Sequence, residues 1–209
     1  GREDIIGGYV KDPHVGLHDW VVSFDLNSLY PHLIMQYNVS PETYVERKNG
    51  LSIDNILNGS LEKYKDELVK NNQTIAANGC VFEKDKQGFL PKLMEKMYND
   101  RVVYKNMMID AKKKYEENKT SDLEKEIAKC HNMQLAKKIQ LNSAYGALGN
   151  IYFRWFDPKF AEAITLSGQL SIRWVEKYVN KFLNDKFNTE NEDYVIASDT
   201  DSIYVKFDK

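Results

Sequence analysis

The stretch YVIASDTDSIYV, residues 194–205, places two carboxylates two residues apart between two runs of strand-forming side chains. β-Branched and aromatic residues favour extended backbone, so this pattern predicts two strands joined by a tight corner at Asp199-Thr200-Asp201. Two carboxylates this close repel each other unless a hard divalent cation bridges them or one of them takes up a proton. Aspartate is also common in ordinary turns. The corner therefore predicts an antiparallel sheet, and its chemistry depends on its neighbours.

Length and composition indicate one large domain or a two-lobed unit. The 209 residues are 42% hydrophobic and 29% charged, which is typical of a soluble protein with a buried core. No run of about 18 apolar residues would span a membrane, and the first residues do not resemble a signal peptide, so we expect a cytoplasmic protein without membrane contact. Cys80 and Cys130 form no C-x-x-C pair and are expected to be buried thiols.

The rest of the chain offers a second acidic strand end and several helices. The segment VVSFD predicts a strand that ends at Asp25, and PHLIMQYN predicts a helix with Pro31 at its first position. Residues 44–88 carry few signals besides Asn78-Gly79, which predicts a hairpin turn. The segment IYFRWF, residues 151–156, predicts extended backbone before a helix over about residues 158–184.

A long antiparallel helical hairpin is predicted over residues 91–145. Apolar residues recur at helical spacing up to residue 117, and Ser121-x-x-Glu124 predicts a capping box that opens the second helix. Residues 92–138 contain twelve Lys and Arg against eight Asp and Glu. Such a surplus fits a phosphate-binding surface, and it equally fits a solvated helix face.

Three basic side chains of this hairpin are predicted to lie near one another. Arg101 and Lys138 lie 18 and 19 residues on either side of the tip at Lys119, so they stand at nearly the same level on neighbouring helices. Lys105 lies one turn from Arg101, and Asn142 shares a face with Lys138. Converging cations repel one another unless they share an anion such as a triphosphate. Basic residues that extend from a helical pair into solvent would give the same pattern.

The acidic and basic halves suit one reaction. Phosphoryl transfer to a hydroxyl is assisted by two divalent ions that activate the attacking oxygen and stabilise the leaving one, and carboxylates from separate strands can fix both ions. Asp25 with Asp199 and Asp201 would supply those carboxylates. The chain lacks the phosphate-binding patterns G-x-x-x-x-G-K-[ST] and G-x-G-x-x-G, so side chains and metal must hold any nucleotide's phosphates.

Three motifs, in this order, resemble the A, B and C motifs of family B DNA polymerases: DLNSLYP (25–31), KKIQLNSAYG (137–146) and SDTDS (198–202). With NVSPET (38–43), the chain is most similar to the replicative polymerases of T-even-like bacteriophages. The resemblance implies an α+β fold, a polymerase palm whose antiparallel sheet carries the carboxylates, plus a helical hairpin called the fingers. The palm would comprise residues 1–90, with a linker and an irregular insertion, and residues 146–209, and the fingers residues 91–145. The family's exonuclease and thumb domains would lie outside these 209 residues.

The resemblance also implies a function, template-directed DNA synthesis by two-metal nucleotidyl transfer from a dNTP to a primer 3′-hydroxyl. Two Mg²⁺ ions, or Mn²⁺ as a substitute, would be the cofactors. Primer–template DNA and dNTPs would be the ligands, and a sliding clamp and other replication proteins would bind through regions outside this chain. A viral protein acting in the cytoplasm of a bacterial host is implied.

The motif positions assign roles to individual residues. Tyr30 would lie under the sugar and exclude a 2′-hydroxyl, although it could also simply pack the palm. Tyr145 and Gly146 would lie against the nascent base pair and DNA, where glycine permits close backbone approach. The catalytic metal ligands would be Asp25, Asp199 and Asp201 with the backbone of Leu26, and the nucleotide would contact Leu26, Ser28, Leu29, Tyr30, Arg101, Lys105, Lys138 and Asn142.

Two alternatives remain open on the sequence. A folded core fragment that binds nucleic acid without turnover would have the same motifs. A metal-dependent glycosyltransferase also uses D-x-D, but it would leave the alignment of Arg101 with Lys138 and the strand ending at Asp25 unexplained. The chain also departs from the family, which often has Tyr-Gly before the acidic corner where this chain has Ala197-Ser198.

Overall fold

Two antiparallel sheets and three long helices account for most of the chain in the computed structural model, which describes residues 6–207. This architecture confirms the α+β prediction. The strands are β1 (Val10–Lys11), β2 (Val21–Asp25), β3 (Tyr44–Arg47), β4 (Gln73–Ile75), β5 (Cys80–Glu83), β6 (Val195–Asp199) and β7 (Ser202–Lys206). The α-helices are α1 (Leu29–Tyr37), α2 (Ile53–Leu57), α3 (Lys65–Lys70), α4 (Phe89–Glu117), α5 (Ser121–Leu148) and α6 (Pro158–Phe187), and two short 3₁₀ helices span Pro41–Thr43 and Glu62–Tyr64.

The main sheet has the strand order β1-β6-β7-β2 and brings the acidic strand ends together. Asp25 on β2 and Asp199 on β6 both lie opposite Ser202, from the two sides of β7. Residues directly opposite each other in an antiparallel pair point to the same face, so both aspartates lie on one face of the sheet. Helix α6 packs on the other face through a core that includes Ile172, Leu183, Tyr194, Val195, Ile203 and Val205.

Residues 44–88, which the sequence left largely unassigned, contain regular structure. Strands β3, β5 and β4 form a second antiparallel sheet, and the predicted turn at Asn78-Gly79 joins β4 to β5. Gly79 has a φ of 89°, and a Cβ there would lie 2.0 Å from the carbonyl oxygen of Lys48. Only glycine fits this turn without moving the backbone. The region that the sequence left as an insertion with few signals therefore contains a small sheet and short helices.

The predicted helical hairpin is present, with a different cap. Helices α4 and α5 pack against each other, and α1 packs against both near their base. Thr120, rather than Ser121, caps α5, because its extended backbone lets the hydroxyl accept from the amide of Leu123 at 3.3 Å. Glu124 does not close a capping box, since its carboxylate accepts from the Tyr115 hydroxyl.

Two further local predictions are corrected. Helix α1 begins two residues before Pro31, so this proline occupies the third helical position rather than the first. Residues 151–156 form turns instead of a strand. Two of their rings, Phe153 and Trp155, lie 5.5 Å apart between centroids, and Trp155 lies 5.0 Å from Phe89 at the start of α4. Within residues 6–207, no helix combines the length and apolar character that crossing a bilayer requires.

Ser198 carries an unsatisfied hydroxyl in the core of the main sheet. Its side chain is 2% exposed, and its Oγ has no hydrogen-bond partner among residues 6–207. A buried polar group without a partner costs about 1–3 kcal/mol. We expect Ser198→Ala to raise the melting temperature by about 2–4 °C, the shift that corresponds to about 1 kcal/mol in a chain of this size.

Thermal unfolding followed by circular dichroism measures this effect, and Ser167→Ala is the matched control. Ser167 is equally buried, but its Oγ accepts from the amide of Ala77 at 3.0 Å. Removal of the Ser167 hydroxyl should lower the melting temperature by a similar amount. A decrease for Ser198→Ala would contradict the assignment of an unsatisfied hydroxyl.

Candidate active site

A cavity of about 550 Å³ lies between the end of the main sheet and the base of the helical hairpin. Its walls carry opposite charges, with aspartates on the sheet side and basic residues on the hairpin side. Such a cavity suits a ligand that carries both metal ions and phosphates. The lining residues are Asp25, Asn27, Ser28, Leu29, Tyr30, Pro31, Arg101, Lys138, Asn142, Tyr145, Thr200 and Asp201.

Backbone hydrogen bonds fix the acidic wall. The amide of Leu26 donates to the carbonyl oxygen of Asp201 at 2.7 Å, which ties the end of β2 to the corner between β6 and β7. The amide of Asp201 donates to the carbonyl oxygen of Asp199 at 2.6 Å and tightens the corner. The carboxylate of Asp25, at the end of β2, and that of Asp201, in the corner just before β7, therefore both reach the cavity.

Asp199 takes a different position from the other two aspartates. Its side chain is exposed, does not line the cavity, and accepts a hydrogen bond from the Thr200 hydroxyl at 2.9 Å. The structure therefore brings Asp25 and Asp201 to the cavity and places Asp199 beside it.

The environment of Asp201 disfavours its negative charge. Burial raises the pKa of this carboxyl above its ordinary value of 3.8, and repulsion from Asp25 and Asp199 raises it further. A cation between Asp25 and Asp201 would offset both effects, because it compensates the lost hydration and screens the repulsion. A divalent ion between these carboxylates would therefore stabilise the acidic wall.

The two carboxylates are compatible with magnesium. Within residues 6–207, no group of three or more His, Cys, Asp or Glu side chains is arranged to hold a metal ion without further ligands. Magnesium is usually held by one or two carboxylates, water and the phosphates of the substrate rather than by a complete protein cage. Asp25 and Asp201 match this pattern.

The basic wall centres on Arg101. Its Nη1 donates to the Ser28 hydroxyl at 3.2 Å, while its Nε is buried and has no hydrogen-bond partner in the described part of the chain. The exposed side chains of Lys138 and Asn142 line the cavity from the second helix of the hairpin. A buried guanidinium N–H without a partner is costly, so an anionic ligand would both stabilise it and be bound by it.

Two tyrosines form the floor between the charged walls. The rings of Tyr30 on α1 and Tyr145 on α5 lie 4.6 Å apart between centroids, at 49°. Gly168 of α6 lets the Tyr30 ring approach, since a Cβ there would lie 2.9 Å from Cε1 of the ring. Burial, with smaller contributions from Tyr145, Asp201 and Asp199, raises the pKa of Tyr30 to about 12. Tyr30 is therefore a neutral phenol at physiological pH.

Several site residues expected from the sequence do not line the cavity. Leu26 contributes through its backbone contact with Asp201, and Lys105 is exposed one turn along α4. Gly146 is exposed next to Tyr145. Sequence reasoning did not select three lining residues, Asn27, Pro31 and Thr200. All three lie inside the motifs DLNSLYP and SDTDS, so choosing every residue of these two motifs would have included them.

Comparison with known proteins places the chain in a family. Residues 1–209 match the family model of DNA polymerase family B. The chain therefore belongs to DNA polymerase family B, as its three motifs predicted. This assignment excludes the glycosyltransferase alternative.

Individual relatives include polymerases from phages and archaea. The chain is 31% identical over 244 aligned positions to the DNA-directed DNA polymerase of Escherichia phage RB69, covering 97% of this chain and 26% of that protein. It is 32% identical over 249 positions to that of Enterobacteria phage T4, covering 100% and 27% respectively. A DNA polymerase of Pyrococcus glycovorans is 34% identical over 203 positions, covering 97% and 21%. The chain thus spans about a quarter of the length of the curated relatives it matches.

Proposed function

We propose that this chain is the catalytic core of a template-directed DNA polymerase that transfers a nucleotidyl group from a dNTP to a primer 3′-hydroxyl. One observation carries the proposal. Asp25 and Asp201 face Arg101 and Lys138 across a single cavity, in a chain of DNA polymerase family B. Primer–template DNA and dNTPs are the ligands that follow from this activity, and a sliding clamp and other replication proteins stay predictions.

The domain assignment follows the same proposal. Residues 1–90 and 146–209 form the palm, whose main sheet carries the acidic corner. Residues 91–145 form the fingers, within the hairpin of α4 and α5. The cavity between the two is where the nucleotide would bind.

The reaction exchanges one P–O bond for another. The primer 3′-hydroxyl loses its proton to solvent as its oxygen attacks the α-phosphorus of the dNTP, the bond from that phosphorus to the bridging oxygen breaks, and pyrophosphate leaves with the electron pair. Two Mg²⁺ ions, when bound, would lower the pKa of the attacking hydroxyl and neutralise charge on the phosphates. Asp25 and Asp201 are the proposed principal ligands, supported by Asp199 and the carbonyl oxygen of Leu26.

The remaining residues orient the nucleotide. Arg101, Lys138 and Asn142 bind the triphosphate, with Lys105 one turn further out. Backbone groups of Ser28 and Leu29 contact the phosphate and sugar. Tyr145 and Gly146 lie against the nascent base pair.

Tyr30 is proposed to exclude ribonucleotides, and this role gives a quantitative prediction. Its ring is held between Gly168 and Tyr145, so it cannot easily yield to a 2′-hydroxyl. We expect Tyr30→Ala to lower the preference for dNTPs over rNTPs, measured as a ratio of kcat/KM values, by about 100-fold. Tyr30→Phe, which keeps the ring, should retain the preference. An unchanged ratio in Tyr30→Ala would show that this ring only packs the fold.

Primer extension tests the proposed function. The assay uses the chain in excess over primer–template DNA, with Mg²⁺ and low salt, because DNA affinity falls steeply with salt concentration. Extension with dNTPs supports the proposal. If the chain binds DNA but extends no primer, even with excess Mn²⁺, it is a nucleic-acid-binding core without turnover.

A further inference from the structure

A short segment near the start of the described chain runs directly beside the acidic corner. Residues 8–11, which we term the strap, include β1, in which Val10 pairs with Asp199 and Lys11 with Ser198. The amide of Thr200 donates to the carbonyl oxygen of Tyr9 at 2.8 Å. The strap thus contacts every residue from Ser198 to Thr200, although it belongs to the opposite end of the sequence.

The corner needs external support because Thr200 adopts an unfavourable backbone conformation. Its φ is 53°, in the left-handed region that β-branched residues rarely occupy. Such conformations persist only where the surroundings enforce them, and they cluster at functional sites. The hydrogen bond from Thr200 to Tyr9 is one such constraint, and the bond from Leu26 to Asp201 is another.

Gly8 packs against the Thr200 side chain without space for a larger residue. A Cβ at Gly8 would lie 2.6 Å from Oγ1 and 2.9 Å from Cγ2 of Thr200. A Cβ at the preceding Gly7 would have nothing within 4 Å. Neither glycine has a φ in the left-handed region, so alanine would strain the backbone at neither position. An added methyl group therefore meets Thr200 at Gly8 and nothing at Gly7, whose carbonyl oxygen accepts from the Gln169 side chain in a contact that alanine keeps.

The far end of the strap is anchored to the body of the protein. The Nζ of Lys11 lies 2.6 Å from both the Glu176 carboxylate on α6 and the Asp193 carboxylate before β6. Burial alone would lower the pKa of Lys11, but the hydrogen bonds to Asp193 and Glu176 outweigh it and raise the pKa. Lys11 thus stays charged across the neutral range, and its two ion pairs tie this end of the strap to α6 and to the segment before β6.

We propose that the strap is a positioning element for the acidic corner, and that Gly8 is the positioning residue that lets Thr200, and with it Asp201, take its place at the cavity. This inference rests on the proposed polymerase function, because it assigns the strap to the same site. A methyl group at residue 8 should therefore displace the corner when residue 200 is threonine, and should have no effect when residue 200 is glycine.

A double-mutant cycle tests this coupling in the full 209-residue chain. The variants are Gly8→Ala, Thr200→Gly and the combination of both, with Gly7→Ala as the matched control. Thr200→Gly removes the three atoms nearest to the new methyl group, and glycine tolerates the left-handed conformation.

Two readouts separate the strap from the polymerase function. The first is kcat for primer extension, which Gly8→Ala should lower by at least about tenfold, since misplacement by about 1 Å can cost about 100-fold. The second is hydrogen exchange of the Leu26 amide, measured by NMR without DNA or nucleotide. This amide donates to Asp201 and reports the position of the corner independently of activity. It should exchange at least about tenfold faster in Gly8→Ala.

The outcomes are distinct. The double variant should match Thr200→Gly within about twofold in both readouts, and Gly7→Ala should match the parent. The inference would be overturned if Gly8→Ala had the same kcat and the same Leu26 exchange rate as the parent. It would also be overturned if the double variant showed as large a decrease in kcat and as large an increase in exchange rate as Gly8→Ala. If the parent extends no primer, exchange still decides the role of the strap while the polymerase proposal fails. If Gly8→Ala alone does not fold, the comparison of the double variant with Thr200→Gly decides.

Discussion

Replacing Asp201 with asparagine is expected to abolish primer extension while stabilising the fold. Loss of a carboxylate that holds the metal ions removes several kcal/mol of transition-state stabilisation, which corresponds to roughly 10³-fold in rate. The same carboxylate is unfavourable in the folded chain without metal, because burial and the charges of Asp25 and Asp199 raise its pKa. An asparagine side chain would keep the shape of the carboxylate without its charge. Activity and stability should therefore change in opposite directions.

The pH dependence of this effect has a definite sign. An acid whose pKa is raised by folding binds more protons in the folded state than in the unfolded state. The free energy of unfolding therefore decreases as pH rises from 3.8, the ordinary pKa of Asp201, through the raised folded value. Above that window the ionised carboxylate destabilises the metal-free fold. The stabilisation by Asp201→Asn should thus be fully present at neutral pH and disappear toward about pH 3.

Primer extension and thermal unfolding, each with and without Mg²⁺, measure both halves of the prediction. Mg²⁺ should stabilise the parent more than Asp201→Asn, because a ligand that binds only the folded state raises its stability. Asp25→Asn should also lose extension. Asp185→Asn, at an exposed aspartate on α6 that does not line the cavity, should retain extension and serves as the control. Extension by Asp201→Asn at the parent's rate would contradict its role as a metal ligand.

The strands around the acidic corner were predictable because the residues that favour extended backbone there are also those that the folded sheet pairs and buries. Buried Ile203 and Val205 alternate with less buried neighbours on β7, Tyr194 to Ile196 form a short buried run at the start of β6, and the corner residues cannot continue either strand. Helix geometry alone predicted that Arg101 and Lys138 stand at the same height along the hairpin. The structure agrees with this, because both residues line one cavity. Periodic patterns thus placed the two basic residues, whereas Ser28, Leu29, Tyr30 and Tyr145 were selected from the resemblance of their motifs to the family.

Two other features, the cap of α5 and the conformation of residues 151–156, could not be predicted from a periodic pattern. Thr120 and Ser121 are adjacent hydroxyl residues, and the cap went to Thr120 because its backbone remains extended while that of Ser121 is helical. Residues 151–156 are rich in strand-forming side chains, but they form turns, and two of their rings, Phe153 and Trp155, pack on each other. Strand propensity describes a fit to a half-buried sheet surface and does not provide the neighbouring strand.

The contact between Gly8 and Thr200 had no signal in the sequence. It joins two residues from nearly opposite ends of the described chain, through the pairing of β1 with β6. A glycine before a strand predicts conformational freedom, whereas Gly8 is needed for close approach. Only the three-dimensional arrangement distinguishes it from Gly7.

Arg101→Lys is expected to lower kcat/KM for dNTP incorporation by about 10- to 100-fold, even though the charge is kept. Arginine presents a planar fork of N–H donors to phosphate, whereas lysine presents a point charge. A hydrogen bond to a charged group contributes about 1.5–3 kcal/mol, so losing one or more of them gives this range. The Nε of Arg101, buried and without a partner among residues 6–207, is the donor that lysine cannot replace.

Steady-state kinetics with varied dNTP concentration, together with thermal unfolding, measures this second effect. Removal of an unsatisfied buried N–H should leave the melting temperature unchanged or slightly higher, so a loss of activity would not reflect unfolding. Arg47→Lys, on the exposed edge of the second sheet, is the matched control and should retain the parent's kcat/KM. If Arg101→Lys also retained it, the unpaired Nε would not bind phosphate. Arg101 would then act by its charge alone, in the same way as Lys138 on the opposite helix.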